Sequence, residues 1–450
     1  MEREFDVVVV GAGPAGEVAA GRLGEAGLKV AIVEAHLVGG ECSFHACMLS
    51  KALIRPADLA AEVRRVPGLS VTGPDPAAVL ARRDEVIHDL DDASQLPWLE
   101  QRGVTIVRGF GRLEGARRVR VDEDVLTARK AVVVATGSGP AMPPLPGLSE
   151  SRPWSNREAT TAKTVPASLL ILGGGVVGVE LAQAWSSLGT RVIVVEGQPR
   201  LISREEEFAS EQVEAVLRAA GVDVRTGARA IAVARDGEVT VELEDGTTAS
   251  GEELLVAVGR RPATKELGLE TIGLEPGESI EVGGDLRSSA HDWLYAIGDV
   301  NGRSLLTHMG KYHGRLAADA ILGKRVEIRS DGLLAPRVIF SEPQVAAVGY
   351  TLAGAEEAGL NVRAVDVGTG ENAGGSFVGR NAVGTARLVV DEDRSVVVGA
   401  TFTGAEVAES IHAATIAVVG EVPLATLWHA VPAFPTRSEL WLGLLEAYGL

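Results

Sequence analysis

Four consecutive valines at 7–10 run into Gly11-Ala12-Gly13-Pro14-Ala15-Gly16. Apolar positions then recur at helical spacing, and a second apolar run at 30–33 stops at Glu34. An unbroken apolar run marks a strand covered on both faces, so the pattern predicts strand, tight turn, amphipathic helix and a parallel second strand. It returns 162 positions later as an apolar run at 169–172, a glycine turn at 173–178, an alanine-rich helical stretch and a strand ending at Glu196. Two doubly wound α/β modules are therefore expected rather than one.

Between the copies, residues 49–103 read as helical with a break at Pro56, and 104–134 as short strands interrupted by Gly109, Gly111 and Gly115. The Pro- and Gly-rich stretch 137–147 reads as a linker. A strand at 254–259 closes the second copy, and the chain then runs through WLYAIGD at 293–299 to a helix near 311–322. From about Leu333 strand-like runs dominate, followed by two helical stretches, which predicts a separate α+β domain. The boundaries drawn from this pattern are 1–148 with 265–332 for the first module, 149–264 for the second and 333–450 for the C-terminal domain.

With 450 residues the chain has room for about two to four domains. A formal charge of −18 and a pI near 5.0 oppose a nucleic-acid or anionic-membrane partner, whose phosphates such a surface repels. No apolar run approaches the ~18 residues of a membrane span. The opening MEREFD carries neither a basic region nor a cleavage signal, so a cytoplasmic location is expected. In that compartment ordinary thiols stay reduced.

The glycine turns carry specific chemistry. The first glycine of each allows the tight turn, the second lets a pyrophosphate approach the backbone, and the third lets helix and strand pack closely. Phosphate then meets the free N–H groups of a helix N-terminus, and Glu34, 23 residues after Gly11, is placed to bind a ribose diol. Gly173, Gly175, Gly178 and Glu196 repeat the set, so two dinucleotide sites are expected. A carboxylate at Glu196 favours NADH over NADPH, while nearby Arg200 keeps a 2′-phosphate in play.

The only two cysteines, Cys42 and Cys47, sit five apart in GGECSFHACMLSKAL. On a regular helix that spacing separates them by about 140° and roughly 7.5 Å of rise, too far for a relaxed disulfide. Pairing requires Cys42 to lie in irregular chain leading into the helix, where the positive dipole end lowers a thiol's pKa. The plain alternative is two buried cysteines acting as small apolar residues.

The ordered motifs GGECxxxxCxxSK, ATGS at 135–138, GGGVVGVE, AVGRRP at 257–262 and YAIGD make the chain similar, over essentially its whole length, to the class I pyridine nucleotide-disulfide oxidoreductases. That family includes dihydrolipoamide dehydrogenase, glutathione reductase and mercuric reductase. The resemblance implies FAD on the first module, NAD(P)H on the second, a redox-active Cys42–Cys47 disulfide with Cys47 nearer the flavin, and a homodimer whose active site is shared between subunits. It further implies a Lys51–Glu180 pair beside the reactive end of the flavin, Asp299 on the ribityl chain, Thr307 and His308 along the flavin, and Gly111 against the adenine. The remaining expected contacts to FAD are Pro14, Ala15, Gly16, Ala35, Gly40, Glu41, Ala135, Thr136, Gly137 and Gly298. Those to the nicotinamide dinucleotide are Val176, Val177, Ala230 and Gly259. The substrate is expected to be a small molecule, with no metal site.

One motif departs from the family. Where relatives carry HxHPTxxE, this chain reads Val431-Pro-Ala-Phe-Pro-Thr-Arg-Ser-Glu439, with Phe434 in place of the proton-transferring histidine. A general base contributes about 10² to 10⁴ in rate, so three readings stand. His45 or His429 substitutes; or the acceptor is a quinone, dye, oxygen or reactive disulfide needing no base; or an apolar group shields an aprotic intermediate, as in a carboxylase branch that cleaves a thioether. Glu439 survives at the partner position, against the third reading. Mercuric reductase chemistry needs further C-terminal cysteines, which are absent. A non-catalytic flavin redox sensor is the rival from another class.

Overall fold

The computed structural model describes residues 1–382 and 384–450, and the chain divides into two compact units. The first comprises Met1–Leu49, Asp84–Ala141 and Arg260–Gly332. Its leading elements, β1 (Glu2–Val10), α1 (Pro14–Glu25) and β2 (Val30–Glu34), are the first predicted copy. The strand order is Thr105–Arg108, β2, β1, Asp124–Val134, Arg118–Val121, Gly111–Leu113, with Leu294–Ala296 also on Asp124–Val134. The strands around β1 are parallel, Val7 pairing with Val30 on one side and Ala131 on the other. Arg118–Val121 and Gly111–Leu113 form an antiparallel excursion. Val7, Val8 and Val9 are fully buried, each contributing about 1.5–3 kcal/mol by leaving water. A Cβ on Gly314, in the helix Thr307–Ile321, would lie 2.6 Å from the carbonyl oxygen of Ala15, so the two helices pack nearly backbone to backbone.

The second unit comprises Ser50–Arg83, Met142–Gly259 and Leu333–Leu450. Its parallel sheet, ordered Asp223–Arg225, Arg191–Val195, Ser168–Leu172, Glu253–Val256, carries the second copy with its helix Val176–Ser187. A three-stranded antiparallel sheet, 230–251, accompanies it. The C-terminal part is a five-stranded antiparallel sheet packed by the helices Ile411–Val419 and Leu440–Tyr448. The fold is thus α/β, two doubly wound modules with a C-terminal α+β domain.

Two local expectations are corrected. Pro56 does not break its helix: α3 (Cys47–Arg65) continues through it. A mid-helix proline costs ~3 kcal/mol, which the buried side chains of Leu53, Ile54, Ala57 and Ala60 on both sides offset. The stretch at 137–147 is not wholly linker, because Ser138–Pro140 pairs antiparallel with Arg260–Pro262.

Candidate active site

The two glycine turns are built alike. Gly11 (φ 104°) and Gly173 (φ 107°) lie in the left-handed region, and a Cβ on either would stand 2.4 Å from a carbonyl oxygen of the neighbouring strand end, Ala135 or Ala257. A Cβ on Gly16 or Gly178 would come within 1.9 Å of the oxygen of Gly11 or Gly173, so helix and turn close only without a side chain. Gly13 and Gly175 are different: a Cβ there meets nothing within 4 Å, leaving the mouth of each turn open. Among the described residues no side chain caps either helix, which begin at Pro14 and Val176. Open space before uncapped N–H groups fits a diphosphate.

Each acidic residue braces its own turn. Glu34 accepts the N–H groups of Ala12 (2.7 Å) and His36 (2.8 Å), and Glu196 those of Gly174 (2.5 Å) and Gln198 (2.6 Å). Arg200, by contrast, is committed elsewhere: its guanidinium donates to the carbonyls of Ser203 and Glu205 and to the hydroxyl of Ser210. In the first unit the Thr136 hydroxyl is buried with no hydrogen-bond partner among the described residues. That orphan, beside Ala135 and Gly137, fits a polar ligand atom supplied from outside the protein. Gly111 fills the gap between Val10 and Val33, where a Cβ would lie 2.9 Å and 3.1 Å from their methyls. Val176 and Val177 open the second helix, Ala230 opens a strand, and Gly259 takes a left-handed φ of 129°.

The thiols sit on a kinked path. Gly39 and Gly40 both have positive φ, and Gly40 passes so near Gly13 that a Cβ would be 2.8 Å from its Cα. Cys42 lies in a one-turn helix, α2 (Gly40–Phe44), not in irregular chain, and the break falls after it at His45 (φ −142°), before α3 opens at Cys47. Buried Phe44, Leu49 and Ile87 anchor both sides of this kink. The outcome is the expected approach: the free thiols are half-buried, Cys42 hydrogen-bonds Cys47, and Cys47 Sγ is 3.4 Å from Thr307 Oγ1. The expected sign of the Cys42 pKa is overturned. Its thiol is pushed up, first by the hydrogen bond with Cys47 and then by burial, with the Thr307 hydroxyl and the Lys311 charge pulling the other way. A low dielectric and a competing thiol outweigh one partial dipole and one cation.

Arg260 organises a cluster that sequence reasoning left out. Its guanidinium donates to the Ser138 hydroxyl (2.7 Å) and carbonyl (2.6 Å), and lies 3.9 Å from Asp299 and 3.8 Å from Glu41. Ser138 in turn donates to Asp299 at 2.5 Å. Asp299 follows Gly298, whose φ of 72° sets the turn, and His308 follows Thr307 at the start of its helix. The only available signals were the motifs ATGS and AVGRRP, with nothing in their spacing to say that they meet.

In the second unit Lys51 Nζ is 2.7 Å from Glu180 Oε2 and 3.2 Å from Ser50 Oγ. Glu180 is only 3% exposed, so the ammonium offsets most of the cost of burying its charge. Phe434, in contrast, is 77% exposed, and Glu439 buries one carboxylate oxygen, Oε2, without a partner among the described residues. His429 is exposed. Among the described residues there is no group of acids, histidines and cysteines able to hold a metal ion, and no helix is long and apolar enough to cross a membrane.

Residues 5–315 match the pyridine nucleotide-disulphide oxidoreductase family, and residues 335–443 match its dimerisation domain. The chain is 32% identical to dihydrolipoyl dehydrogenase of Bacillus subtilis, over 98% of this chain and 96% of that one. It is 32% identical to mercuric reductase of Shigella flexneri, over 92% and 75% respectively. Among solved structures it superposes on the HOCl-induced flavoprotein disulfide reductase RclA of Escherichia coli with a TM-score of 0.87 and 25% identity, covering 98% of this chain and 99% of that one.

Proposed function

The chain belongs to the pyridine nucleotide-disulphide oxidoreductase family, whose members are FAD-dependent and draw electrons from NAD(P)H, and from that premise we propose that it oxidises NADH and delivers two electrons through Cys42–Cys47 to a small disulfide or comparable oxidant. The observation that carries this reading is the approach of the two lone cysteines, hydrogen-bonded to each other with Cys47 against Thr307. FAD held along the Gly11–Gly16 turn would supply the two-electron chemistry that links the nicotinamide to the disulfide. Glu34, Gly13, Thr136, Asp299 and the Arg260–Ser138 brace are the groups that would hold it. The balance is NADH, one proton and the disulfide giving NAD⁺ and two thiols; a small disulfide then re-forms the S–S bond and leaves as two thiols.

The protein's own groups divide the remaining work. Cys42 is the thiol assigned to attack the substrate, and Thr307 steadies Cys47. Replacing Thr307 with valine removes a donor that favours the thiolate. The pH midpoint for iodoacetamide labelling of the reduced thiols is expected to rise by about one unit; an unmoved midpoint would confine Thr307 to packing. Lys51, paired with Glu180, would supply fixed positive charge to the reactive end of a bound flavin. The C-terminal domain supports a homodimer with a shared site, and a reducing cytoplasm suits a chain whose only thiols cycle.

NADH is preferred over NADPH in this reading because Glu196 presents a carboxylate at the second turn while Arg200 is engaged with its own loop. Glu196→Gln keeps an acceptor for the turn and removes the charge. Its ratio of kcat/KM for NADH over NADPH is expected to fall about tenfold; a ratio unchanged in steady-state assays would remove Glu196 from cofactor choice.

Phe434 favours a second acceptor class, quinones or dyes that require no base. A panel of lipoamide, small aliphatic and aromatic disulfides, quinones and dyes at fixed NADH decides the matter. Fastest turnover with a reactive disulfide supports the first reading, and turnover confined to quinones replaces it with the second.

A further inference from the structure

The Lys51–Glu180 pair is gripped from three stretches of the second unit. α3 brings Ser50 and Lys51; the helix Val176–Ser187 brings Glu180 and, nearly one turn on, Gln183; and residues 340–342 run between the strands Arg337–Ile339 and Gln344–Gly349. Glu180 splits its oxygens: Oε2 takes the Lys51 ammonium at 2.7 Å, and Oε1 accepts the N–H of Phe340 at 3.0 Å. Gln183 Oε1 accepts the N–H of Glu342 at 2.7 Å, and the Glu342 carboxylate takes Arg65, farther along α3, at 2.5 Å. The N–H groups of Phe340 and Glu342, in the bend between the two strands, thus meet side chains three apart on one helix. The spacing suits the helix, because its residues i and i+3 share a face.

The ring of the same Phe340 lies 4.6 Å from Lys51 Nζ. One residue therefore fixes the carboxylate through its backbone and faces the cation with its π-cloud. We propose that Phe340 is a positioning residue for Lys51, and that the segment 340–342 is a clamp through which the C-terminal domain sets the orientation of the Lys51–Glu180 pair. This rests on the reading that the pair acts on the bound flavin. Without the backbone donor Glu180 Oε1 would be buried unpaired, and without the ring Lys51 would lose the face that competes with water for its charge.

The ring can be tested apart from the backbone. Phe340→Leu keeps an apolar side chain and the N–H but removes the π-face, whereas Phe340→Tyr keeps all three. In the FAD-loaded protein, Phe340→Leu is expected to slow NADH-dependent dye reduction about three- to tenfold at unchanged KM for NADH. It should also shift the bound flavin's reduction potential to the negative side, read by equilibration with reference dyes, while Phe340→Tyr restores both. In a Lys51→Met background Phe340→Leu should add nothing, since its effect runs through the ammonium. Phe340→Leu with unaltered rate and potential, while Lys51→Met moves the potential, would overturn the proposal alone. A Lys51→Met protein with unmoved potential would overturn the underlying reading of the pair.

Discussion

Cys47→Ser protein is expected to bind FAD as the unaltered chain does and to reduce disulfides at no more than about a thousandth of its rate. Holding an electron pair as two thiols, and giving it up again, needs an S–S bond that forms and breaks. A serine hydroxyl cannot take part, and the chain has no third cysteine to replace it. The groups proposed to hold the flavin are others, namely the Gly11–Gly16 turn, Glu34, Thr136 and the Arg260 brace, so cofactor content should hold. Cys42→Ser should lose disulfide turnover to the same degree, because either change leaves a single thiol. Acceptors that draw electrons directly from the flavin should survive both changes. Steady-state rates with a disulfide and with a dye, alongside the visible spectrum of bound FAD, check all of this. Disulfide turnover above a tenth of normal in either mutant would be incompatible with a two-sulfur relay.

Phe434→His is expected to raise lipoamide turnover by about 10² to 10⁴. The Cys42 thiol is pushed up in pKa by its partner thiol and by burial, so near neutral pH it is held as the thiol and interchange requires a base. Phenylalanine cannot serve, and an imidazole in its place can. Glu439, whose Oε2 is buried with no partner among the described residues, is the group that the family resemblance assigns to orient the new ring. The rate should then acquire a limb rising through the ordinary histidine range, near pH 6.5, as the imidazole loses its proton. A mutant with parental lipoamide rates and an unchanged pH profile would show that proton transfer was never the limiting step.

Much of this site was legible because its chemistry is local in sequence. Each glycine turn and its glutamate lie within one strand-turn-helix-strand stretch, where a few glycines determine whether the backbone can close. The matching 2.4 Å and 1.9 Å approaches at Gly11, Gly16, Gly173 and Gly178 are that pattern in space. The Arg260 cluster was not legible. Its members Glu41, Ser138, Arg260 and Asp299 are scattered along the chain, and no periodicity marks which charges will meet. Phe340 was hidden for a similar reason, since its backbone N–H matters as much as its side chain. Pro56 misled because local propensity signalled a break that buried neighbours override. For Cys42 the sequence displayed a helix start and both cysteines, but not the hydrogen bond between them and the burial that reverse the dipole's effect.

The most direct measurement is a thiol count during anaerobic titration with NADH, using the FAD-loaded protein quenched into denaturant with a thiol label. One equivalent of NADH per chain is predicted to convert an oxidised protein with no labelled cysteine into one with two, at Cys42 and Cys47. Bleaching of the flavin with no gain in labelled cysteine would contradict the claim that these two sulfurs store the electrons.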